Sequence, residues 1–425
     1  MDTHKISFRK LMSSNTLARS SAIVFAGSMT SNVLSYIYHL VMGRILGPSG
    51  YGELSSLLSL LYIFTIPLIV AQTVLVKFVS GFKAHGEVGQ AKSLFIKAVK
   101  LFGVLSVAGF PVIVLAAPWV TSFLRLSSPV LFVYVYLLLV ISLFITAGVS
   151  MLTGYQKFVW VSVLGTAAIL VKIVVSVPMA GWQVPGVMLA SVIASLIAGA
   201  LYIAPLRFLF LAKKQPTNLN RRDAFGFAVP TLLTQLGITS LYTTDIILVR
   251  HFFDAQSSGL YAALAILGKI IFYASSAVPL VLFPMASERV AMGVKTKKLI
   301  LSATSVVAVI SVGITLLYFL FPDFIVRMLF GNAYTQAGPK LGYFGIFLSL
   351  FSVANIISIA CLAVGKTRIW IFAAGAALAQ IVGITMYHGT IAQVISMNIA
   401  IAVVFVLGSA AYYVYEKIQP HHTRL

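Results

Sequence analysis

Lys269 and Lys172 each fall inside a long apolar run, 259–284 and 158–180. An ammonium group in the middle of a hydrocarbon layer costs about 2.5–3.5 kcal/mol on insertion scales and normally faces a cavity or a partner. Lys269 lies ten residues into its run, about 15 Å deep at the helical rise. Snorkelling or a carbonyl contact is the plain alternative, but this depth strains it. A cavity-lining lysine offsets the charge of an anionic cargo in a low-dielectric core. Asp245 and His39 form a second set, each five residues before an arginine, Arg250 and Arg44. His39 shares a polar stripe with Asn32 and Ser35, and Asp245 with Tyr242 and Gln235. Such stripes on apolar helices point inward. A titratable pair in this setting binds a coupling proton or sodium ion. The alternative is structural, with Asp245 simply pairing with Arg250 or Lys269.

Further residues have both a functional and a plain reading. Arg44 and Arg250 lie close to Glu53 and Asp254, either as an outer gate or as ordinary interfacial anchors. Pro67 and Pro279 each remove a backbone hydrogen bond and kink a helix, as hinges or as static bends. Gln72, Asn355, Gln380, Gln393 and Asn398 are amides within apolar runs. They read as interhelical hydrogen bonds, with Gln72 also a cavity candidate.

Little else here does chemistry. Only nine acidic residues exist, and they are dispersed, without the proximity that general acid–base catalysis needs; an enzyme is disfavoured. The one cysteine, Cys361, is in an apolar run, and the His421-His422 pair lacks ligand partners, so no metal is expected. No phosphate-binding glycine loop is present, and no cofactor is implied.

These residues must be positioned by membrane helices. Hydrophobic residues make up 60% of the 425 and charged ones 9%, with mean hydropathy +1.01. Soluble domains are about 25% charged. About 20 apolar residues cross a hydrocarbon core of roughly 30 Å, which predicts about twelve spans: 19–43, 53–77, 94–117, 129–152, 158–180, 185–210, 224–249, 259–284, 299–321, 340–364, 368–388 and 390–415. Most of the 30 lysines and arginines fall in the two tails and in alternate connections. The opposite connections hold only Arg44, Arg125, Arg250, Arg327 and Lys340. This bias predicts cytoplasmic termini. It also explains the net charge of +21 without a nucleic-acid partner, and basic loops suit anionic lipid headgroups.

The hydrophilic segment 212–223 divides the chain into two six-helix lobes, 19–211 and 224–415, flanked by an N-terminal segment 1–18 and a tail 416–425. The lobes repeat a plan. Arg44, a Gly47-Pro48-Ser49-Gly50-Tyr51 turn and a span with Pro67 correspond to Arg250, Ser257-Ser258-Gly259-Leu260-Tyr261 and a span with Pro279. An even span number makes the repeats parallel, with an axis along the membrane normal and a cavity between lobes opened alternately to each side.

The run Gly43-Arg44-Ile45-Leu46-Gly47-Pro48-Ser49-Gly50-Tyr51-Gly52 and the Asp245-Ile246-Ile247-Leu248-Val249 stretch after Tyr242-Thr243-Thr244 resemble the polysaccharide-biosynthesis (Wzx-type) flippases. These belong to the multidrug/oligosaccharidyl-lipid/polysaccharide (MOP) exporter superfamily. The resemblance covers the chain in length, span count and layout. It implies an all-α, MATE-like fold in the cytoplasmic membrane that flips a polyprenyl-linked oligosaccharide by alternating access. Spans one, two, seven and eight then line the cavity, and a polysaccharide polymerase or glycosyltransferases are the implied partners. Relatives that flip the peptidoglycan precursor usually carry two further C-terminal spans, which lowers that substrate here. A cation-coupled multidrug exporter is the second reading, and a membrane enzyme of glycan assembly the third.

Tags at either terminus and within 212–223 are expected to be cytoplasmic, and a label in 322–339 external. Labelling of intact cells with an impermeant reagent checks this; an externally labelled terminus contradicts the twelve-span map.

Overall fold

A computed structural model describes residues 14–216 and 232–415. Part of the 1–18 segment, residues 217–223 of the connection, the first residues of the seventh span and the tail 416–425 lie outside the described residues. Every regular element among the described residues is a helix: α1 (Ser14–Ala84), α2 (Val88–Phe123), α3 (Val130–Gly154), α4 (Phe158–Met179), α5 (Gln183–Leu201), α6 (Leu232–Leu241), α7 (Thr244–Phe252), α8 (Ala255–Ser275), α9 (Ala277–Ala291), α10 (Lys297–Leu320), α11 (Pro322–Phe330), α12 (Gly338–Ala363), α13 (Trp370–Met386) and α14 (Ile391–Tyr415).

Among the described residues, eight helical stretches are long and apolar enough to cross a membrane, or nine counting the bent pair Leu232–Leu241 and Thr244–Phe252 as one span. Two of them, Ala26–Ala84 with 59 residues and Phe158–Leu211 with 54, are far too long for one straight crossing. At 1.5 Å per residue the first would extend about 90 Å. Each is broken. Gly47 adopts φ 65°, ψ 178°, a region essentially open only to glycine. Pro48 then begins the next helix, where a missing N–H costs nothing. The longer of the two family-like runs is therefore the turn between the first two spans. In the second stretch a 3-10 turn, Ala180–Trp182, ends at Gln183 with φ 56°. Within α1, Pro67 interrupts no helical geometry, Gly47 being the one non-helical residue. Near Pro279 the helical hydrogen bonding is interrupted at Ser276, between α8 and α9, although Ser276 keeps helical φ/ψ. The last span opens with a reciprocal cap: Thr390 Oγ1 accepts from Gln393 N, and Gln393 Oε1 accepts from Thr390 N. Gln393 is thus an N-terminal cap and not an interhelical amide.

The chain forms two compact units. The first comprises Met1–His39, Pro67–Ala117 and Phe132–Ala224. Its core is built from Leu75, Val79, Leu94, Phe102, Met151 and Leu206. The second comprises Leu40–Ile66, Pro118–Leu131 and Phe225–Leu425, so the turn at Gly47 packs with the C-terminal helices. There α1 and α8 approach backbone to backbone. A Cβ on Gly259 would stand 1.7 Å from the Pro48 carbonyl oxygen, and one on Gly52 would stand 2.8 Å from Gly259 N. Buried Ser55, Ser56, Ala262 and Ala263 continue this small-residue seam, as close helix packing in membranes requires. Beside it Tyr51, Phe330 and Tyr334 stack edge-on, and Tyr334 donates to the Gly43 carbonyl at 2.8 Å.

Gly259→Ala is expected to lower the detergent melting temperature, because overpacking at a close crossing costs about 1–3 kcal/mol. Gly165→Ala, whose Cβ would meet nothing within 4 Å, serves as the control and should be neutral or slightly stabilising.

Candidate functional site

The seventh span is broken in its middle. Helices α6 and α7 meet at Tyr242-Thr243 with a bend of 46°, although neither glycine nor proline stands there. Hydroxyls stabilise the break: Thr243 donates to the Thr239 carbonyl at 2.6 Å, and Ser240 and Thr244 share a hydrogen bond at 2.7 Å. Side chains bonded back to the helix in this way bend it. The Leu241 carbonyl accepts from Gln380 Nε2 on α13 at 2.9 Å, so a backbone acceptor at the break is satisfied.

The break gives Asp245 a place in the first turn of α7, where the helix dipole favours an anion. Its Oδ1 accepts from Ile246 N at 2.9 Å, and its Oδ2 from the Tyr261 hydroxyl at 2.6 Å. Tyr261 accepts from Asn398 Nδ2 at 2.9 Å, and Gln380 donates to Asn398 Oδ1 at 3.1 Å. Asp245, Tyr261, Asn398 and Gln380 are all buried. A continuous polar chain thus joins α7, α8, α13 and α14. Asp245 is bonded to Tyr261, not to Arg250 or Lys269 as the structural alternative expected.

Lys269 is buried on α8. Its Nζ lies 5.3 Å from the ring centre of Tyr242 and 5.8 Å from that of Tyr62. Among the described residues it has no hydrogen-bond acceptor, although Asp245 attracts it electrostatically. Tyr242 in turn packs on Phe272 and Phe351. The structure therefore unites Lys269 with Tyr242 at the break. Gln235 is half-buried one turn or two earlier on α6.

In the first unit, Lys172 Nζ lies 4.0 Å from the Tyr38 ring centre, and Tyr38 meets the buried His39 edge-on. Gln72 is half-buried and Asn32 exposed.

Of the four candidate gate residues, Arg250 and Glu53 reach one turn, while Arg44 and Asp254 bond elsewhere. Arg250, buried, donates to the carbonyls of Leu124 and Arg125 at 3.0 and 2.9 Å and to Ser258 Oγ at 3.2 Å. Arg125 returns a bond to the Phe253 carbonyl at 3.2 Å, and His251 Nδ1 bonds the Phe123 carbonyl at 2.7 Å while stacking on its ring. Glu53 is buried and accepts from Ser127 N at 2.5 Å. Arg250 and Glu53 thus grip the same turn, 123–127, which residue spacing did not suggest. Arg44 instead donates to the last carbonyls of α11, at Met328 and Leu329. Asp254 caps α8 through Ser257, and hydrogen bonds from Ser257 hold its carboxyl below the usual carboxylate range.

Residues 17–290 match the sequence profile of a family described as polysaccharide biosynthesis protein. The chain belongs to this family. Among curated proteins there is no match. The chain's fold is similar to that of solved transporters described as members of the MOP superfamily. An inward-facing multidrug resistance MATE family transporter of that superfamily superposes with TM-score 0.73 at 12% identity, over 89% of this chain and 93% of the other. The lipid II flippase MurJ in an inward closed conformation gives 0.72 at 14%, over 93% and 87%. A MOP transporter from Pyrococcus furiosus Vc1, described by the reverse polarity of its binding pocket, gives 0.61 at 16%, over 93% and 95%. The chain is accordingly a multi-pass membrane protein.

Tyr261→Phe is expected to leave Asp245 and Asn398 each short of a buried partner, destabilising the protein by about 1–3 kcal/mol. Detergent melting checks this; an unchanged melting temperature contradicts the hydrogen-bonded chain.

Proposed function

We propose that this polysaccharide biosynthesis protein flips a polyprenyl-pyrophosphate-linked oligosaccharide across the cytoplasmic membrane by alternating access. The lobes 19–211 and 224–415 are the moving halves, both termini are cytoplasmic, and Lys269 is the cation that meets the pyrophosphate. The observation that carries this reading is a buried ammonium group with no hydrogen-bonded anion, set beside an irregular stretch of a spanning helix. A fixed cation of this kind offsets the desolvation of a polyanionic headgroup. Its tyrosine neighbours offer π faces to the ammonium and flat surfaces to a sugar ring. Lys172, half-buried over the Tyr38 ring, is its counterpart in the N-terminal half, and Asn32, Gln72, Gln235 and Tyr242 complete the polar lining. A second positive charge fits an anionic cargo better than the organic cations of a multidrug exporter, which the two lysines repel.

Asp245 and His39 are the proposed coupling residues, for a proton or a sodium ion. Asp245 has oxygens already engaged by Tyr261 and Ile246. Ion binding there would exchange the Tyr261 bond for a new one and so pull on α8, the helix that carries Lys269. Arg44, Glu53, Arg250 and Asp254 are the proposed outer gate, and Pro67 and Pro279 its hinges. A polymerase or glycosyltransferases are the proposed partners.

Reconstituted protein in liposomes holding a fluorescent polyprenyl-pyrophosphate sugar tests the reading. Leaflet transfer without covalent change is expected; drug efflux alone would favour the exporter, and an altered lipid product an enzyme. Lys269→Ala should abolish transfer with the melting temperature nearly unchanged, Lys269→Arg should retain part of it, and Lys269→Glu should be no better than Ala. If Lys269 serves only to neutralise Asp245, Lys269→Ala combined with Asp245→Asn would restore transport. Full transport in that double variant overturns the substrate role.

A further inference from the structure

An apolar groove of about 380 Å3 runs along the first unit between α2, α3 and α5. Its floor is opened by residues without bulk, Gly148, Gly199 and Ala200, and its walls include Phe95, Val99 and Phe210. The groove occupies the half of these helices that adjoins the basic connections, since α2 begins and α5 ends there. Apolar grooves on membrane helices receive acyl chains as a matter of course. What distinguishes this one is its mouth.

The segment after α5 folds back over the start of α2. Lys92 Nζ donates to the carbonyls of Phe210 and Ala212 at 2.6 and 2.8 Å. Ser93 donates to the Gln215 carbonyl, and Gln215 N to the Gly89 carbonyl at 3.2 Å. The Lys213 backbone passes so near Gly89 that a Cβ there would stand 2.4 Å from its oxygen. These bonds hold residues 212–215 in one place. Lys213 and Lys214 are exposed beside Phe210, and Arg207 shares its helical turn with Phe210 at i, i+3 spacing. Among the described residues Arg207, Lys213 and Lys214 have no hydrogen-bonded partner. The neighbouring Leu211 is 85% exposed, as expected of a side chain that enters lipid. A second groove, about 340 Å3 between α13 and α14, has comparable walls; near it Lys366 donates to the Tyr413 carbonyl and Arg368 is the exposed cation, against three exposed cations at the first.

We propose that the α2–α3–α5 groove is a binding site for an anionic glycerophospholipid of the leaflet on the basic side. One acyl chain lies along Gly148, Gly199 and Ala200, and the headgroup phosphate meets Arg207, Lys213 and Lys214. Cations held at a membrane surface attract anionic lipid, and a tethered segment loses less conformational freedom on binding than a free loop. The site is separate from Lys269 and does not depend on the transport reading.

The full chain in detergent, stripped of lipid, is titrated with dioleoyl-phosphatidylglycerol or dioleoyl-phosphatidylcholine, and bound lipid is counted by native mass spectrometry. Several-fold preference for phosphatidylglycerol is expected in the wild type. Arg207→Gln with Lys213→Gln and Lys214→Gln should bring the two lipids to near parity, with phosphatidylcholine binding unchanged. Gly199→Leu should lower occupancy by both lipids; its Cβ meets Ile145 at 3.6 Å, an ordinary contact, and an unchanged melting temperature verifies that the fold accepts the larger side chain. Lys269→Ala should leave the preference intact. The proposal is overturned by parity in the wild type, by a preference that survives the triple substitution, by full occupancy in Gly199→Leu, or by loss of preference in Lys269→Ala.

Discussion

Inside hydrocarbon no water is available to bond a loose N–H or C=O, so a spanning backbone must satisfy itself. This constraint bears hardest where a span is interrupted. The turn at Gly47, between two spans, is made with a glycine conformation and a proline that has no N–H to satisfy. The break at Tyr242-Thr243 meets it with hydroxyls of its own helix and the borrowed amide of Gln380. Because Gln380 also holds Asn398, and Asn398 holds Tyr261, the repair of one carbonyl extends to the bond that anchors Asp245. The polar chain through α7, α8, α13 and α14 follows from an interruption in one span.

Asp245 and Lys269 show how opposite charges coexist without forming a close pair. A buried ion pair is weak evidence for stability, since desolvating both ions offsets much of their attraction. Here each charge is compensated by other means. The carboxylate takes a tyrosine hydroxyl, a backbone N–H and a helix N-terminus, while the ammonium takes two aromatic faces. Aromatic faces attract a cation but leave its N–H groups unbonded. The lysine therefore keeps donor capacity that a carboxylate partner would have consumed.

Much of this was legible in the sequence for physical reasons. Hydrophobic length marked the spans, a Gly-Pro pair marked the first turn, burial of Lys269 followed from its depth in an apolar run, and that of Asp245 and His39 from their polar stripes. Partners were harder to read. Tyr261 looked like part of a repeated turn, yet it is the residue that bonds Asp245, on a neighbouring helix that no periodicity aligns. The break in the seventh span carries no helix-breaking residue; its cluster of Thr239, Ser240, Thr243 and Thr244 reads equally as a polar stripe. Arg250 has a long side chain whose reach to 123–127 depends on a contact across more than a hundred residues of chain, which spacing cannot encode.

That contact is built mainly from main-chain groups. Arg250, Arg125 and His251 bond chiefly to main-chain carbonyls of the facing segment, and Glu53 bonds to a main-chain N–H. Neutral carbonyls hold a guanidinium less tightly than a carboxylate would, because the strongest hydrogen bonds join two ions. The buried Glu53 carboxylate adds a longer-range attraction to Arg250. The close seam at Gly52 and Gly259 is held differently, by dispersion contacts between backbones that an added Cβ would push apart. Both belong to one compact unit, Leu40–Ile66, Pro118–Leu131 and Phe225–Leu425, so the packing that binds residues 118–131 to the C-terminal helices combines directional hydrogen bonds with close van der Waals contact.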